Sequence, residues 1–225
     1  MQIEELTGQV ETHLVSINSK VAIHRNVVSP FLALQNEAKK FGFDLQIASG
    51  FRSFERQRLI WNNKFSGKTP LLGIDETPLS ITALSEFDKL VAILHWSALP
   101  GASRHHWGTD FDIYDPSRLP QGKKLQLTCS EYEVSGYFYE LNQWLTENMN
   151  QFDFYRPYRN YQGGVATEPW HISFHPIADE CLNALTESII YDLIINNNVL
   201  GKSLICKQLP MIYKQYICNI NKGGE

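Results

Sequence analysis

Two short stretches of this 225-residue chain concentrate side chains able to ligate a metal or move a proton. One is Ser103-Arg104-His105-His106-Trp107-Gly108-Thr109-Asp110-Phe111-Asp112, the other Glu168-Pro169-Trp170-His171. A hydrolytic zinc site takes about three protein ligands from His, Asp, Glu or Cys and keeps one position for water. Both stretches supply such groups, and both carry aromatic bulk that would keep a site dry and strengthen its electrostatics. Taken singly, neither is specific. An E-x-x-H recurs by chance, His105 and His106 also read as residues of a solvated turn, and Trp170 as core. What favours a metal site is their joint occurrence, each at the start of an expected strand.

The elements that must position these stretches follow from periodicity and punctuation. Ser29-Pro30 reads as an N-cap and first-turn proline opening a helix through Phe31, Leu34 and Ala38 to Gly42. Residues 45–48 read as a strand, and Ser53 as the cap of a second helix through Trp61 that ends before Gly67. Residues 66–80 and 115–130, rich in Gly and Pro, read as loops. A third helix spans about 82–96, with Leu84, Phe87, Leu90, Val91 and Leu94 at helical spacing. The strand after Gly108 places Asp110, Asp112 and Tyr114 on one face and Phe111 and Ile113 on the other. A helix over about 136–148, a strand near 152–155 and a strand entered from Glu168 follow. The last 45 or so residues read as helical. Strands interspersed with helices, with too few βαβ units for a doubly wound sheet, predict an α+β fold. One domain over 1–225 is expected, with a core of about 30–180 and a helical C-terminal extension over about 181–225.

Composition excludes several classes of function. A net charge of −4 and a pI near 6.0 leave no basic footprint for nucleic acid. No apolar run approaches the roughly 18 residues that would cross a bilayer, so no membrane insertion is expected. The first twenty residues lack the basic start and apolar stretch of a secretory signal, which makes a cytoplasmic location the expectation. Cys129, Cys181, Cys206 and Cys218 are far apart and form no C-x-x-C pair; free, buried thiols are expected rather than a thiolate metal site.

The two stretches together resemble the zinc D-Ala-D-Ala carboxypeptidases and dipeptidases of the VanY/VanX type, metallopeptidases of the LAS type with a Hedgehog-like fold. The first family motif, S-x-H-x-x-G-x-x-x-D, is matched by Ser103, His105, Gly108 and Asp112. The second, E-x-W-H, is matched by Glu168, Trp170 and His171. Upstream, an S-x-[YF]-R-S stretch with a later glutamine is matched by Ser49, Phe51, Arg52, Ser53 and Gln57. A looser aromatic stretch running into Pro-Tyr is matched by Phe152, Phe154, Pro157 and Tyr158.

The resemblance implies a small antiparallel sheet holding one Zn²⁺ per chain, flanked by helices, with His105, Asp112 and His171 as ligands. His106 beside His105 competes for that role, but the spacing to Gly108 and Asp112 favours His105. Glu168 is implied as general acid/base towards a zinc-bound water, and Arg52 as the group that polarises the scissile carbonyl. Ser103 and Gln57 are candidates for gripping a terminal carboxylate. Many family members carry alanine where this chain has Asp110; on a strand Asp110 shares the side of Asp112, so it reads either as a partner orienting His105 or His171 or as a solvated carboxylate. The implied partner is a peptidoglycan-derived peptide and the expected state a monomer, with dimerisation through the C-terminal helices the lesser reading. A lytic endopeptidase is the alternative within the enzyme class. A catalytically silent zinc-stabilised binding module is the alternative outside it, though such a module is free to lose Arg52 or Glu168 and this chain keeps both.

Overall fold

The structure, a computed structural model, describes residues 1–223. A short helix α1 (Ile3–Leu6) leads into a hairpin of β1 (Leu14–Ser16) and β2 (Ala22–His24), which sequence patterning did not anticipate. Helix α2 (Val28–Lys40) begins one residue before Ser29, because a 3₁₀ turn over Arg25–Val27 runs directly into it. Ser29 is therefore no cap; Pro30 lies in the first turn, where a missing N–H costs nothing. Strand β3 (Gln46–Ser49) follows, then α3 (Phe54–Phe65), whose cap is the expected one: Ser53 Oγ accepts from Arg56 N at 3.2 Å.

The 66–80 segment is more ordered than a loop, since β4 (Leu71–Leu72) and β5 (Pro78–Leu79) pair antiparallel within it. Helix α4 (Glu86–Trp96) starts at the Ser85 cap; residues Ile81–Ala83 form a separate 3₁₀ turn, so the helix is shorter than its apolar periodicity suggested. After a 3₁₀ turn over Arg104–Trp107 comes β6 (Asp110–Tyr114), then α5 (Cys129–Tyr132) and α6 (Tyr139–Asn148). Strands β7 (Phe154–Tyr155) and β8 (His171–Phe174) precede three helices, α7 (His175–Ala184), α8 (Glu187–Asn196) and α9 (Lys202–Ile212), and a π-helical turn over Tyr213–Ile217.

The fold is α+β. Its principal sheet has the order β3-β6-β8-β7, every pair antiparallel. The strand period of two gives this sheet its two characters. Phe111, Ile113 and Ile172 face a fully buried cluster with Phe31 and Leu34 of α2 and Leu141 and Leu145 of α6. Asp110, Asp112, His171 and Ser173 occupy the other face, with Asp110 opposite Ser173 and Asp112 opposite His171. A second cluster joins Trp61, Leu90 and Ile93 of α3 and α4 to Ile190, Ile194, Ile205 and Leu209 of α8 and α9. Each side chain of that size contributes about 1.5–3 kcal/mol on full burial. Apolar burial therefore holds the C-terminal helices on the molecule, and the Trp61 indole adds a hydrogen bond to Leu200 O at 3.0 Å.

The four cysteines are unpaired, but only Cys181 is buried; Cys129 and Cys206 are half-buried and Cys218 is exposed. Small size lets a thiol sit at a half-covered helix edge, so the expectation of four buried thiols fails for three. No helix among the described residues is long and apolar enough to cross a membrane.

Candidate metal centre

The polar face of the sheet is brought to a focus by one turn. Residues Arg104–Trp107 wind as a 3₁₀ turn that ends at Gly108 with φ 66°, in the left-handed region where glycine carries no steric cost. A Cβ there would stand 2.7 Å from His24 N and 2.5 Å from a Leu14 methyl, so the glycine also lets the turn press against the β1–β2 hairpin. This close approach is the physical reason for the glycine in the first motif. The turn aims His105 and His106 in different directions.

His105 looks onto the sheet. Its Nδ1 lies 2.9 Å from Gly50 O, and a carbonyl can only accept, so the ring proton sits on Nδ1 and Nε2 presents a lone pair. That Nε2 is 3.5 Å from Asp112 Oδ2. Across the strand pair, His171 places Nε2 at 3.1 Å from Asp110 Oδ1, and its Nδ1 lies 3.3 Å from Asp112 Oδ1 and 3.3 Å from Glu168 Oε2. Asp110 thus fixes the tautomer that turns Nδ1 inward. One ligand atom from each of His105, Asp112 and His171 lies within 4.8 Å of the others, and all three residues are buried.

These residues fit a zinc ion. Two imidazoles held by outside hydrogen bonds and converging on a carboxylate are a donor set that Zn²⁺ accepts. The two imidazole nitrogens lie 3.5 Å and 3.3 Å from the two oxygens of the Asp112 carboxylate, close enough for all three residues to reach one ion. Without a cation the cluster is held by a proton. Desolvation opposes charge on His171, but its hydrogen bonds to Asp110, Asp112 and Glu168 outweigh burial and raise its pKa well above the ordinary value. Burial dominates at His105 and pushes it down to about 4. His105 is thus neutral at pH 7 and ready to ligate, while a metal competes at His171 with a proton held more tightly than usual.

His106 turns away from this cluster. Its Nε2 accepts from Gly101 N at 3.1 Å and its Nδ1 donates to Arg52 O at 2.5 Å, which ties the turn to the segment before α3. The competition between neighbouring histidines is resolved by which nitrogen meets main chain.

Glu168 and Arg52 flank the cluster. Burial lifts the Glu168 pKa above the usual carboxylate value, only partly offset by its hydrogen bond to His171. Main-chain bonds fix its position: Glu168 N donates to Tyr158 O at 3.0 Å, and His171 N donates to Glu168 O at 3.1 Å. Arg52 Nη2 lies 3.9 Å from Asp112 Oδ2 and 3.2 Å from Ser49 Oγ, while Nη1 donates to Gln57 Oε1 at 2.9 Å. Gln57 is fully buried, its Nε2 donates to Ala98 O at 2.7 Å, and it is absent from the cavity wall. The expectation that Gln57 grips a substrate carboxylate is therefore corrected: its amide holds Arg52. Ser103 does line the cavity and its hydroxyl makes no capping bond.

A cavity of about 330 Å³ opens over this cluster, with His105, Asp112, His171, Glu168, Arg52 and Ser103 in its wall. Sequence reading gave no role to Arg104 or Lys64, and met Tyr158 only as part of the loose aromatic motif. Arg104 is buried with Nε 2.7 Å from Asp110 Oδ1 and Nη2 on Ser173 Oγ and Tyr155 OH. Tyr158 packs edge-on to the His171 ring, centroids 5.0 Å apart. Lys64 lines the cavity from α3. Arg104 stood inside the first motif stretch and was legible as a charge next to Asp110; Lys64 gave no signal beyond its place on a helix.

Comparison with known proteins identifies the family and the fold. The family model for VanY, D-alanyl-D-alanine carboxypeptidase, matches residues 20–177. An uncharacterized protein of Haemophilus influenzae is 43% identical over 121 residues, 53% of this chain and 92% of that protein. Among solved structures, VanYB in complex with D-alanine-D-alanine is 20% identical with a TM-score of 0.55, covering 84% of this chain and 92% of that one. A mutant of the D,D-pentapeptidase VanY from the VanB-type resistance cassette, in complex with Zn(II), is 22% identical with a TM-score of 0.50, covering 92% and 86%. At those identities the two structures share the fold. The family match spans the sheet, the turn and both motifs, and the chain belongs to the VanY D-alanyl-D-alanine carboxypeptidase family.

Proposed function

We propose that this chain is a zinc-dependent carboxypeptidase that hydrolyses D-alanyl-D-alanine or related termini of peptidoglycan stem peptides. The observation that carries the reading is the inward-turned lone pairs of His105 and His171 around Asp112, with the Glu168 carboxylate 3.3 Å from His171 Nδ1. The Zn(II) complex of the VanY relative and the D-alanine-D-alanine complex of VanYB support it by analogy.

His105, Asp112 and His171 would hold the metal, with Asp110 and Gly50 O fixing the two rings. A zinc ion there supplies a Lewis acid that lowers the pKa of water and polarises a carbonyl. Glu168, with a pKa raised by burial above the usual carboxylate value, accepts a proton at Oε2 from the attacking water and returns it to the leaving amine. Arg52 faces the cavity with a planar fork suited to the negative charge that grows on the scissile carbonyl oxygen.

Two outcomes test the reading. Protein purified without added metal should contain close to one zinc per chain by elemental analysis, and His171→Ala should lose most of it. Retention by His171→Ala together with loss by His106→Ala would overturn the ligand set. Incubation with a panel of stem peptides followed by mass spectrometry should show loss of a terminal D-alanine; an internal fragment instead would establish the endopeptidase alternative.

Arg52→Ala should lower kcat by about 10²–10³. Its stability cost should stay near the 1–3 kcal/mol of a buried Gln57 oxygen left without a donor, read by denaturant unfolding. Lysine should rescue activity poorly, since a point charge cannot span Gln57, Ser49 and a carbonyl oxygen together. Unchanged turnover in Arg52→Ala would take the residue out of the chemistry.

A further inference from the structure

One charge on the cavity wall has no carboxylate paired with it among the described residues. Lys64 lies two helical turns beyond Gln57 on α3, and its Nζ donates to Ser97 Oγ at 2.6 Å. Among the described residues it forms no ion pair with any carboxylate. An ammonium has three protons to donate and one bond uses one of them. Desolvation lowers its pKa to about 8, with the Glu168 charge supporting the protonated form and that of Arg52 opposing it. Half-buried lysines are normally paired or turned outward; this one is turned into a cavity.

Its place relative to the catalytic groups is fixed by a relay of contacts. Arg52 holds Gln57, Gln57 donates to Ala98 O, and Ala98 adjoins Ser97, to which Lys64 donates. The ammonium therefore shares the cavity wall with Arg52 and Glu168, near enough for both of their charges to act on it. In a peptide whose scissile carbonyl lies between Arg52 and the metal cluster, the terminal carboxylate follows one residue beyond that carbonyl.

The C-terminal helices also contribute to the cavity. Leu182 of α7 and Tyr216 and Ile217 of the π-helical turn complete its wall, all beyond the family-matched 20–177. The same tail braces the loop that carries Tyr158 and Val165: Asn219 Nδ2 donates to Gln162 O at 2.7 Å, Asn221 N to Pro157 O at 2.9 Å, and Gln215 Nε2 to Gly163 O. Beside Lys64 the wall carries apolar side chains such as Ile60, one helical turn before it on α3, a setting that suits a chain end carrying one negative charge.

We propose that Lys64, with Ser97, receives the C-terminal carboxylate of the peptide in a pocket that the C-terminal helices close. This inference rests on the peptidase reading and makes the chain an exopeptidase by construction of its leaving-group side. The experiment compares a peptide ending in a free D-alanyl-D-alanine carboxylate with the same peptide as its carboxamide. The parent protein should prefer the carboxylate in kcat/KM by about 10–100-fold, the worth of one charge-assisted hydrogen bond. Lys64→Met, which keeps the stem, should bring that ratio close to one through KM, and Lys64→Arg should keep most of it. A ratio near one in the parent protein, or a Lys64→Met variant that is folded by circular dichroism and keeps the full preference, overturns the inference while leaving the peptidase standing. If Lys64→Met does not fold, Lys64→Gln takes the same measurement. Hydrolysis of neither peptide by the zinc-loaded parent removes the peptidase reading and this inference with it.

Discussion

Glu168→Gln is expected to keep its metal and lose about 10²–10⁴ of turnover, the span of general acid–base catalysis. The amide has nearly the shape of the carboxylate, and the main-chain bonds from Glu168 N to Tyr158 O and from His171 N to Glu168 O do not involve the side chain. Position is therefore conserved and only proton affinity is removed. The loss should fall on kcat, with KM nearly unchanged, because the substrate is gripped elsewhere on the wall. Zinc content by elemental analysis and release of D-alanine from a D-Ala-D-Ala peptide, measured on both proteins, check the two halves separately. A variant that turns over at the parent rate takes Glu168 out of the mechanism. A variant that loses its zinc makes Glu168 a ligand and closes the position that water needs. A silent binding module would show no hydrolysis in either protein.

How much of this could be read in the chain follows from how far each contact reaches. The sheet's polar face was legible because it is local: alternation along Asp110–Tyr114 sorts Asp110 and Asp112 from Phe111 and Ile113 without any knowledge of the partner strand. Ser53 was legible as a cap for the same reason, whereas Ser29 misled because the preceding 3₁₀ turn supplies a start that no local pattern marks. The β1–β2 hairpin, three residues a strand, is too short to show a period, and it is held by contacts with Gly108 some 84 residues away, as in the bond from His24 N to Gly108 O. Gln57 was singled out by its position in a motif, yet its partners, Arg52 and Ala98 O, give it a supporting place. The closing wall formed by Leu182, Tyr216 and Ile217 depends on how three helices return to the cavity, which amphipathic spacing alone cannot specify. Motif reading finds the groups that react; the groups that aim them are tertiary.

Arg104 is the clearest of those aiming groups, and its removal should be costly to the fold. Arg104 and Asp110 are both buried and bonded at 2.7 Å. Burial opposes charge on each, yet their attraction prevails and leaves Asp110 below its ordinary pKa and Arg104 above its own. Arg104→Met keeps much of the aliphatic stem but loses the guanidinium that lies over the Trp107 ring, its carbon 4.8 Å from the centroid. It leaves the Asp110 carboxylate with the Thr109 hydroxyl and His171 but no permanent cation. Stranding one member of a buried pair costs about 3–5 kcal/mol. In a chain of this size 1 kcal/mol moves Tm by about 2–4 °C, so a fall of roughly 6–20 °C is expected. The melt belongs in chelator, because metal binding would stabilise both proteins by mass action. Adding Asp110→Asn should recover part of the loss, since a neutral amide needs no counter-charge. The same double variant should bind zinc about 10–100-fold more weakly than the parent, because the amide holds the His171 ring less firmly than a carboxylate. Stability and metal affinity would then move in opposite directions between the single and double variants, a pattern that lost packing alone does not produce. A melting point within 2 °C of the parent for Arg104→Met would show instead that the sheet relaxes or admits water to Asp110, and that the His171 tautomer is held without this ion pair.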